Sequence, residues 1–284
     1  MPFQPVQINC RGRLHVFAQP LVMGILNITP DSFYSGSRMQ NEAEWLGTAE
    51  SMINAGADLL DIGAQSTRPG ASLLGAEEEL ERLMPALISL RRQFPEALIS
   101  VDTFHALVAR SAAEAGADII NDVSAGEDDP EMLETIAALG LPYIAMHKKG
   151  VPANMQDNPH YENVVAEVLS YFAEKISTLA AMGIHDVWID PGFGFGKTTA
   201  HNFRLLQALE DFQVLGKPVL AGISRKGMVW RTLGISPAAA LNGTTVLNTI
   251  ACMKGASILR VHDVNEAVQV RQLCHALNAG EAQG

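Results

Sequence analysis

Seven polar residues each close a short run of apolar or branched residues: Asn27 in MGILN, Asp61 in LLD, Asp102 in LISVD, Asn121 in IIN, His147 in YIAMH, Asp190 in VWID and Arg260 in ILR. Ser224 and Lys226 follow the run VLAGI, and His262 comes two residues after Arg260. Taken singly, Asp and Asn cap helices and a lone histidine is usually a satisfied structural group. Lys226 and Arg260 are harder to explain that way, because a charge beside an apolar strand needs a partner. Brought to one place, the set divides by sign. Asp102, Asn121 and Asp190 offer acceptors and an amide suited to a flat heterocycle carrying several N–H donors and a carbonyl. Arg260 and His262, with Asn27 nearby, suit an anion such as a diphosphate, and a diphosphate would normally bring Mg²⁺, a cation that prefers oxygen ligands and substrate phosphates.

The stretch DPGFGFGKTT, 190–199, invites a reading as a nucleotide-phosphate loop, and the spacing refuses it. Counting back from Gly196-Lys197-Thr198 puts Pro191 where a Walker A loop needs its first glycine. Gly192, Gly194 and Gly196 spell G-x-G-x-G, which is not the dinucleotide fingerprint either. The net charge of −11 repels nucleic acid and anionic membrane in general, so an anionic substrate needs a local cluster of cations. Apolar residues at 48% and charged residues at 18% are ordinary for a globular chain with a sizeable core. Cys10, Cys252 and Cys274 are widely spaced, with no C-x-x-C pair, and read as core thiols in a reducing compartment. No basic-then-apolar leader opens the sequence and no run approaches the ~18 apolar residues of a membrane span, so a cytoplasmic location is expected.

A repeat says which elements must position these groups. NAGADLLDIG (54–63), EAGADIINDV (114–123) and KGASILRVHDV (254–264) each join a helix-like run to a buried strand through a glycine suited to a helix C-cap, with a looser copy at 181–192. Further strands are expected at 20–27, 97–103, 141–147 and 217–224, with helical patterns such as 76–92 and 161–183 between them. Eight alternating units predict one domain over 1–284, a (β/α)₈ TIM barrel with a short N-terminal β-hairpin around Arg11-Gly12 plugging its bottom. In such a barrel the strand tips meet at one mouth, and the polar residues above become neighbours. The loops 29–38 and 64–75, with glycine and proline hinges, are expected to act as lids there.

The ordered motifs MGILNITPDSF, DIGAQSTRPG, SVDT, INDV, DPGFGFGK, ISRKGM and RVHDV closely resemble the dihydropteroate synthase family from about residue 20 to 275. The resemblance implies a cytoplasmic, homodimeric barrel that joins 7,8-dihydropterin-6-ylmethyl diphosphate to 4-aminobenzoate in folate biosynthesis, is dependent on Mg²⁺, and is competitively inhibited by sulfonamides. It implies that Asp102, Asn121, Asp190 and Lys226 hold the pterin. Arg260, His262 and Thr67 would face the diphosphate and Asn27 the metal, while Thr67, Arg68, Pro69, Phe193 and Ser224, with Lys226, would shape the aminobenzoate pocket. Lys226, Arg260 and Asp102 would be the catalytic set. The final long helices, 239–254 and 264–278, would form the dimer face. Ser35, Gln65 and Lys148-Lys149 depart from the usual aspartate, glutamate and Met-Gln. A pterin-binding methyltransferase on a similar barrel, or a silent pterin-binding protein, are the alternatives. The phosphate-facing Arg260 and His262 and the STRPG segment favour the synthase over the former, and intact Asn27, Lys226 and Arg260 favour it over the latter.

Overall fold

A computed structural model describes residues 5–28, 38–65, 73–150, 155 and 158–281, the side chains of 38–41 and 278–281 excepted. Ser35, Thr67, Arg68 and Pro69 lie outside the described residues, as does most of each expected lid. The chain begins with a hairpin, β1 (Val6–Cys10) against β2 (Arg13–Phe17), turning at Arg11 and Gly12, both at positive φ. Strands and helices then alternate: β3 (Leu21–Asn27), α1 (Arg38–Asn54), β4 (Leu59–Gly63), α2 (Ala76–Gln93), β5 (Leu98–Asp102), α3 (Ala106–Glu114) and β6 (Ile119–Asp122). The series continues through α4 (Met132–Leu139), β7 (Tyr143–Met146), α5 (Val164–Ala181), β8 (Val187–Asp190), α6 (Thr199–Gln207), β9 (Leu220–Ala221), α7 (Gly227–Leu233), α8 (Leu241–Met253), β10 (Ile258–Val261) and α9 (Val264–Glu281).

The eight strands β3 to β10 form one parallel sheet in the order β8-β7-β6-β5-β4-β3-β10-β9. A parallel bridge from Ile189 to Val219 brings the two ends together and closes the barrel. The expected fold, including its hairpin, is therefore the observed one. The helix-ending glycines of the repeat, Gly56, Gly116 and Gly255, all take positive φ, as C-caps require.

Alternation along each strand explains how a dry barrel acquires a polar mouth. Leu21, Met23, Leu59, Leu98, Ile119, Ile144, Trp188, Leu220 and Ile258 form an inner cluster with Val6, Ile8 and Cys10 of the hairpin, whose buried face stoppers the N-terminal end. Stepping two residues onward from these inward positions keeps to the same face. From Leu59 the step reaches Asp61, from Ile119 Asn121, from Trp188 Asp190 and from Ile258 Arg260; from Leu98 it passes Ser100 and reaches Asp102. The intervening residues, among them Val22, Leu60, Ile99, Ile120, Ile189 and Leu259, face outward into the larger core under the helices. Strands β4, β6, β8 and β10 are thus apolar on their inner face low in the barrel and polar there at the top, and β5 is polar from Ser100 up to Asp102.

Candidate active site

Register decides which tips touch. Gly63 pairs with Asp102 and Asp102 with Asn121, so the carboxylate and the amide stand side by side. Arg260 reaches over from β10: its Nε donates to Asp61 Oδ2 at 2.6 Å and its Nη2 to Asp102 Oδ2 at 2.7 Å. Asn121 Nδ2 donates to the same Asp61 oxygen at 3.1 Å. Asp61 is wholly buried, and its other oxygen, Oδ1, has no partner among the described residues. Residue type and spacing left Asp61 without a chemical role; the geometry makes it the anchor that orients both Arg260 and Asn121. Burial opposes the charge on Arg260, but Asp61 and Asp102 more than offset it and hold the guanidinium above its ordinary range. Asp102 is pushed up to about 7 by burial; Arg260 pulls it down, while Asp61, Glu79 and Asp122 add to the rise.

The neighbouring part of the mouth is built from the loop after β8. Asp190 Oδ1 accepts from the Gly192 amide at 2.7 Å, and burial raises its carboxyl despite Lys226. Lys226 Nζ donates to the carbonyl of Phe193 at 2.6 Å and lies 4.7 Å from the centre of the Phe195 ring. Burial lowers this lysine to about 8, with Asp190 working against the fall and Arg260 adding to it. A Cβ at Gly222 would stand in ordinary contact with both groups, 3.5 Å from Lys226 Nζ and 3.7 Å from Asp190 Oδ2, so Gly222 lies beside the pair.

The two aromatic residues of this loop exchange roles relative to expectation. The Phe193 ring is completely buried in the helix-side core and only its carbonyl reaches the mouth. Phe195, partly exposed, packs on Phe104, Val123 and Met146 beyond the tips of β5, β6 and β7. The ring that stands beside Lys226 at the mouth is therefore that of Phe195 and not that of Phe193. The strict G-F-G-F-G alternation was the available signal, but nothing in it tells which ring turns inward.

Ser224 Oγ lies 3.1 Å from His262 Nδ1 and accepts from the His262 amide at 3.2 Å, joining β9 to β10. Arg225, in a left-handed conformation with φ 53°, reinforces that junction by gripping both oxygens of Asp263 at 2.9 and 2.8 Å. Asn27 ends β3 opposite Gly63 and is exposed. His147, by contrast, is buried beneath the rim, its Nδ1 2.9 Å from Lys197 Nζ, and burial followed by Lys197 pushes it down to about 3. Gln65 ties Leu74 and the buried Glu79 together, its Nε2 lying 2.9 Å from the Leu74 carbonyl and from Glu79 Oε2. Lys148 pairs with Asp128, and Lys149 donates to the His160 carbonyl at 2.7 Å. A cavity of about 450 Å³, lined in part by Ile53, Asp58, Phe94 and Leu98, opens at the other end of the strands and has no share in this site.

Among the described residues, no group of three histidines, cysteines or carboxylates forms a metal cage. What the mouth does offer is the amide oxygen of Asn27, a hard donor at its exposed edge. That fits a cation taking most of its ligands from phosphate and water.

A closed parallel barrel whose mouth gathers carboxylates, an amide and a lysine, with an arginine bonded among them and a histidine on the same strand end as that arginine, defines a barrel enzyme of the pterin-binding class. The family model described as pterin binding enzyme matches residues 23–262. Dihydropteroate synthase of Escherichia coli (strain K12) is 44% identical over 273 residues, covering 95% of this chain and 96% of its own. Among solved structures, the Xanthomonas albilineans dihydropteroate synthase with 4-aminobenzoic acid superposes with a TM-score of 0.89 at 41% identity, covering 97% of this chain and 99% of its own. The Yersinia pestis dihydropteroate synthase in a sulfonamide drug complex gives 0.90 at 40% identity, with 96% and 100% covered. The chain belongs to the dihydropteroate synthase family.

Proposed function

We propose that the mouth of this barrel divides the family reaction between the two sides just described. The chain is a transferase that condenses 7,8-dihydropterin-6-ylmethyl diphosphate with 4-aminobenzoate, giving 7,8-dihydropteroate and diphosphate. Asp102, Asn121 and Asp190 accept from or donate to the polar edge of the pterin, and Lys226 donates to it from the same wall. Arg260, oriented by Asp61, and His262, oriented by Ser224, meet the diphosphate. By the family resemblance Thr67 serves the diphosphate as well, and Thr67, Arg68 and Pro69, with Ser224 and Phe195, border the aminobenzoate. Sulfonamides occupy that second pocket and compete for it.

The bond from the methylene carbon to the diphosphate oxygen breaks, and its electron pair leaves with the diphosphate. Arg260 and His262 stabilise the charge gathering there, which is where fixed cations help most. The electron-rich pterin ring delocalises the cationic methylene, and the neutral aromatic amine attacks it. No strong base is required, since the proton leaves after the C–N bond forms, to solvent or to released diphosphate. Asn27 would help hold Mg²⁺, which when bound supplies charge neutralisation to the diphosphate.

The observation that carries this reading is the single guanidinium of Arg260 bonded to both Asp61 and Asp102 beside Asn121. It supports an anion site set against the heterocycle site. Incubating the protein with pterin diphosphate and measuring diphosphate release with and without 4-aminobenzoate tests it. Release that requires the amine, and that a sulfonamide suppresses competitively, is expected. Pterin binding without release would refute the reading in favour of a silent pterin-binding protein.

Val246, Ile250 and Met253 are exposed along one face of α8, and Leu273 and Leu277 along the adjoining α9. Exposed apolar rows on two packed helices suit a homodimer formed through these helices. No described helix is long and apolar enough to cross a membrane, and a cytoplasmic location accords with the three free thiols.

A further inference from the structure

Lys197, in the 190–199 loop, has no role in the proposed reaction, yet it is 2% exposed. Its ammonium collects four acceptors: His147 Nδ1 at 2.9 Å, the Phe195 carbonyl at 3.0 Å, the Gly192 carbonyl at 3.1 Å and the His147 carbonyl at 3.2 Å. These belong to two neighbouring stretches of backbone, the end of β7 and the loop after β8. The stretches lie so close that a side chain at Gly192 would come within 1.9 Å of the His147 carbonyl oxygen, and one at Gly196 within 2.1 Å of that of Lys149. Three converging carbonyl oxygens would repel one another in a dry seam, and an ammonium among them removes that repulsion and orients all three. Two weaker ties assist: Tyr161 donates to the Gly196 carbonyl at 3.0 Å, and Asn202 accepts from the Gly194 amide at 2.8 Å.

What the seam holds in place is the wall of the second-substrate pocket. The Phe195 carbonyl is one of the four acceptors, and the Phe195 ring lies under Lys226. The Phe193 carbonyl, midway between two clamped residues, receives Lys226. We infer that Lys197 is a positioning residue for 4-aminobenzoate: by clamping the carbonyls of Gly192, Phe195 and His147 it sets the Phe195 ring and Lys226 at the spacing the second substrate needs. This rests on the proposed reaction but goes beyond it, because Lys197 touches neither substrate and is separated from the mouth by the loop that it clamps. Burial lowers the lysine to about 7, with Asp190 resisting the fall and Lys226 and Lys149 adding to it.

The test is steady-state kinetics of Lys197→Met, which keeps the length of the side chain and removes the donors, with each substrate varied in turn. Loss of a positioning contact shared by ground and transition states raises KM and leaves kcat, so KM for 4-aminobenzoate is expected to rise about tenfold with kcat within about threefold. KM for the pterin diphosphate should rise less, by no more than about threefold, since Asp102 and Asn121 are held by other strands and only Asp190 and Lys226 lean on the clamped loop. A merely structural lysine would lower the melting temperature and leave both KM values alone, and that result overturns the inference, as does an equal rise in both. If Lys197→Met does not fold, Tyr161→Phe decides. It removes one weaker tie to the same loop and is expected to raise KM for 4-aminobenzoate about threefold, and an unchanged KM overturns the inference. Failure of the reaction itself would show as inactivity of the unsubstituted protein, a separate result.

Discussion

Asp102 is expected to be a group whose ionisation weakens the empty fold while serving the ligand. Its carboxyl is raised from the ordinary 3.8 to about 7, burial outweighing Arg260. The sign follows from proton counting. Between pH 3.8 and 7 the unfolded chain releases this proton first, so the stability present below pH 3.8 is lost as pH rises and stays lost above 7. A separation of about three pH units at ~1.4 kcal/mol each gives about 4 kcal/mol as a ceiling. The side chain is 14% exposed, so water entering the mouth cuts this to about 2 kcal/mol. Asp102→Asn cannot ionise and keeps the shape. Differential scanning fluorimetry of the ligand-free protein should therefore show the variant melting about 4–8 °C higher than the parent at pH 8, with the gap closing toward pH 4. The same variant should lose about 10²-fold or more in kcat/KM, because a charged acceptor for the pterin has become an amide. A variant less stable than the parent at pH 8, or a gap that does not change with pH, would refute the reasoning.

Gly192→Ala should destabilise by at least about 3 kcal/mol, since the new carbon meets the His147 carbonyl at 1.9 Å and the residue sits at φ 71°; thermal melting at pH 7 measures it. Val246→Glu with Ile250→Glu should turn a dimer into a monomer of unchanged secondary structure, read by sedimentation velocity and circular dichroism. Arg260→Lys keeps a cation but cannot bond Asp61 and Asp102 together, and should lower kcat about 10²-fold with less effect on KM for 4-aminobenzoate.

The barrel was legible because its grammar is periodic. Helix, C-cap glycine and buried strand recur in NAGADLLDIG, EAGADIINDV and KGASILRVHDV, and the polar residue that ends each run must lie at the same height as its counterparts. Register turns that into contact, which is why Asp102, Asn121 and Arg260 could be named together from the sequence. The loop after β8 has no such periodicity. Whether the ring of Phe193 or of Phe195 faces the mouth depends on backbone torsions at Gly192 and Gly194, both at positive φ, and those torsions leave no mark on residue type. The partners of Lys197 were hidden for a related reason: three of its four acceptors are backbone carbonyls, which every residue carries. Asp61 was undervalued because its contacts come from β6 and β10, strands 60 and 199 residues further along the chain.

The arrangement also explains why the loop carries a lysine where an apolar residue would seem cheaper. Glycines at 192 and 196 let two loops meet backbone to backbone, and close approach leaves carbonyl oxygens that strand pairing does not use. An apolar side chain in that seam would leave the His147 and Phe195 carbonyls without this donor, at a cost of about 1–3 kcal/mol for each unsatisfied group, while the Gly192 carbonyl keeps the Phe195 amide. One buried lysine shares its three N–H donors among these carbonyls and His147 Nδ1, so the group buried there is itself the solution to the desolvation problem. The same close approach delivers the Phe193 carbonyl to Lys226 and the Phe195 ring beneath it. On the proposed reading, tight loop packing and the shape of the second-substrate pocket are coupled, and a substitution that relaxes the seam is expected to be felt at the mouth.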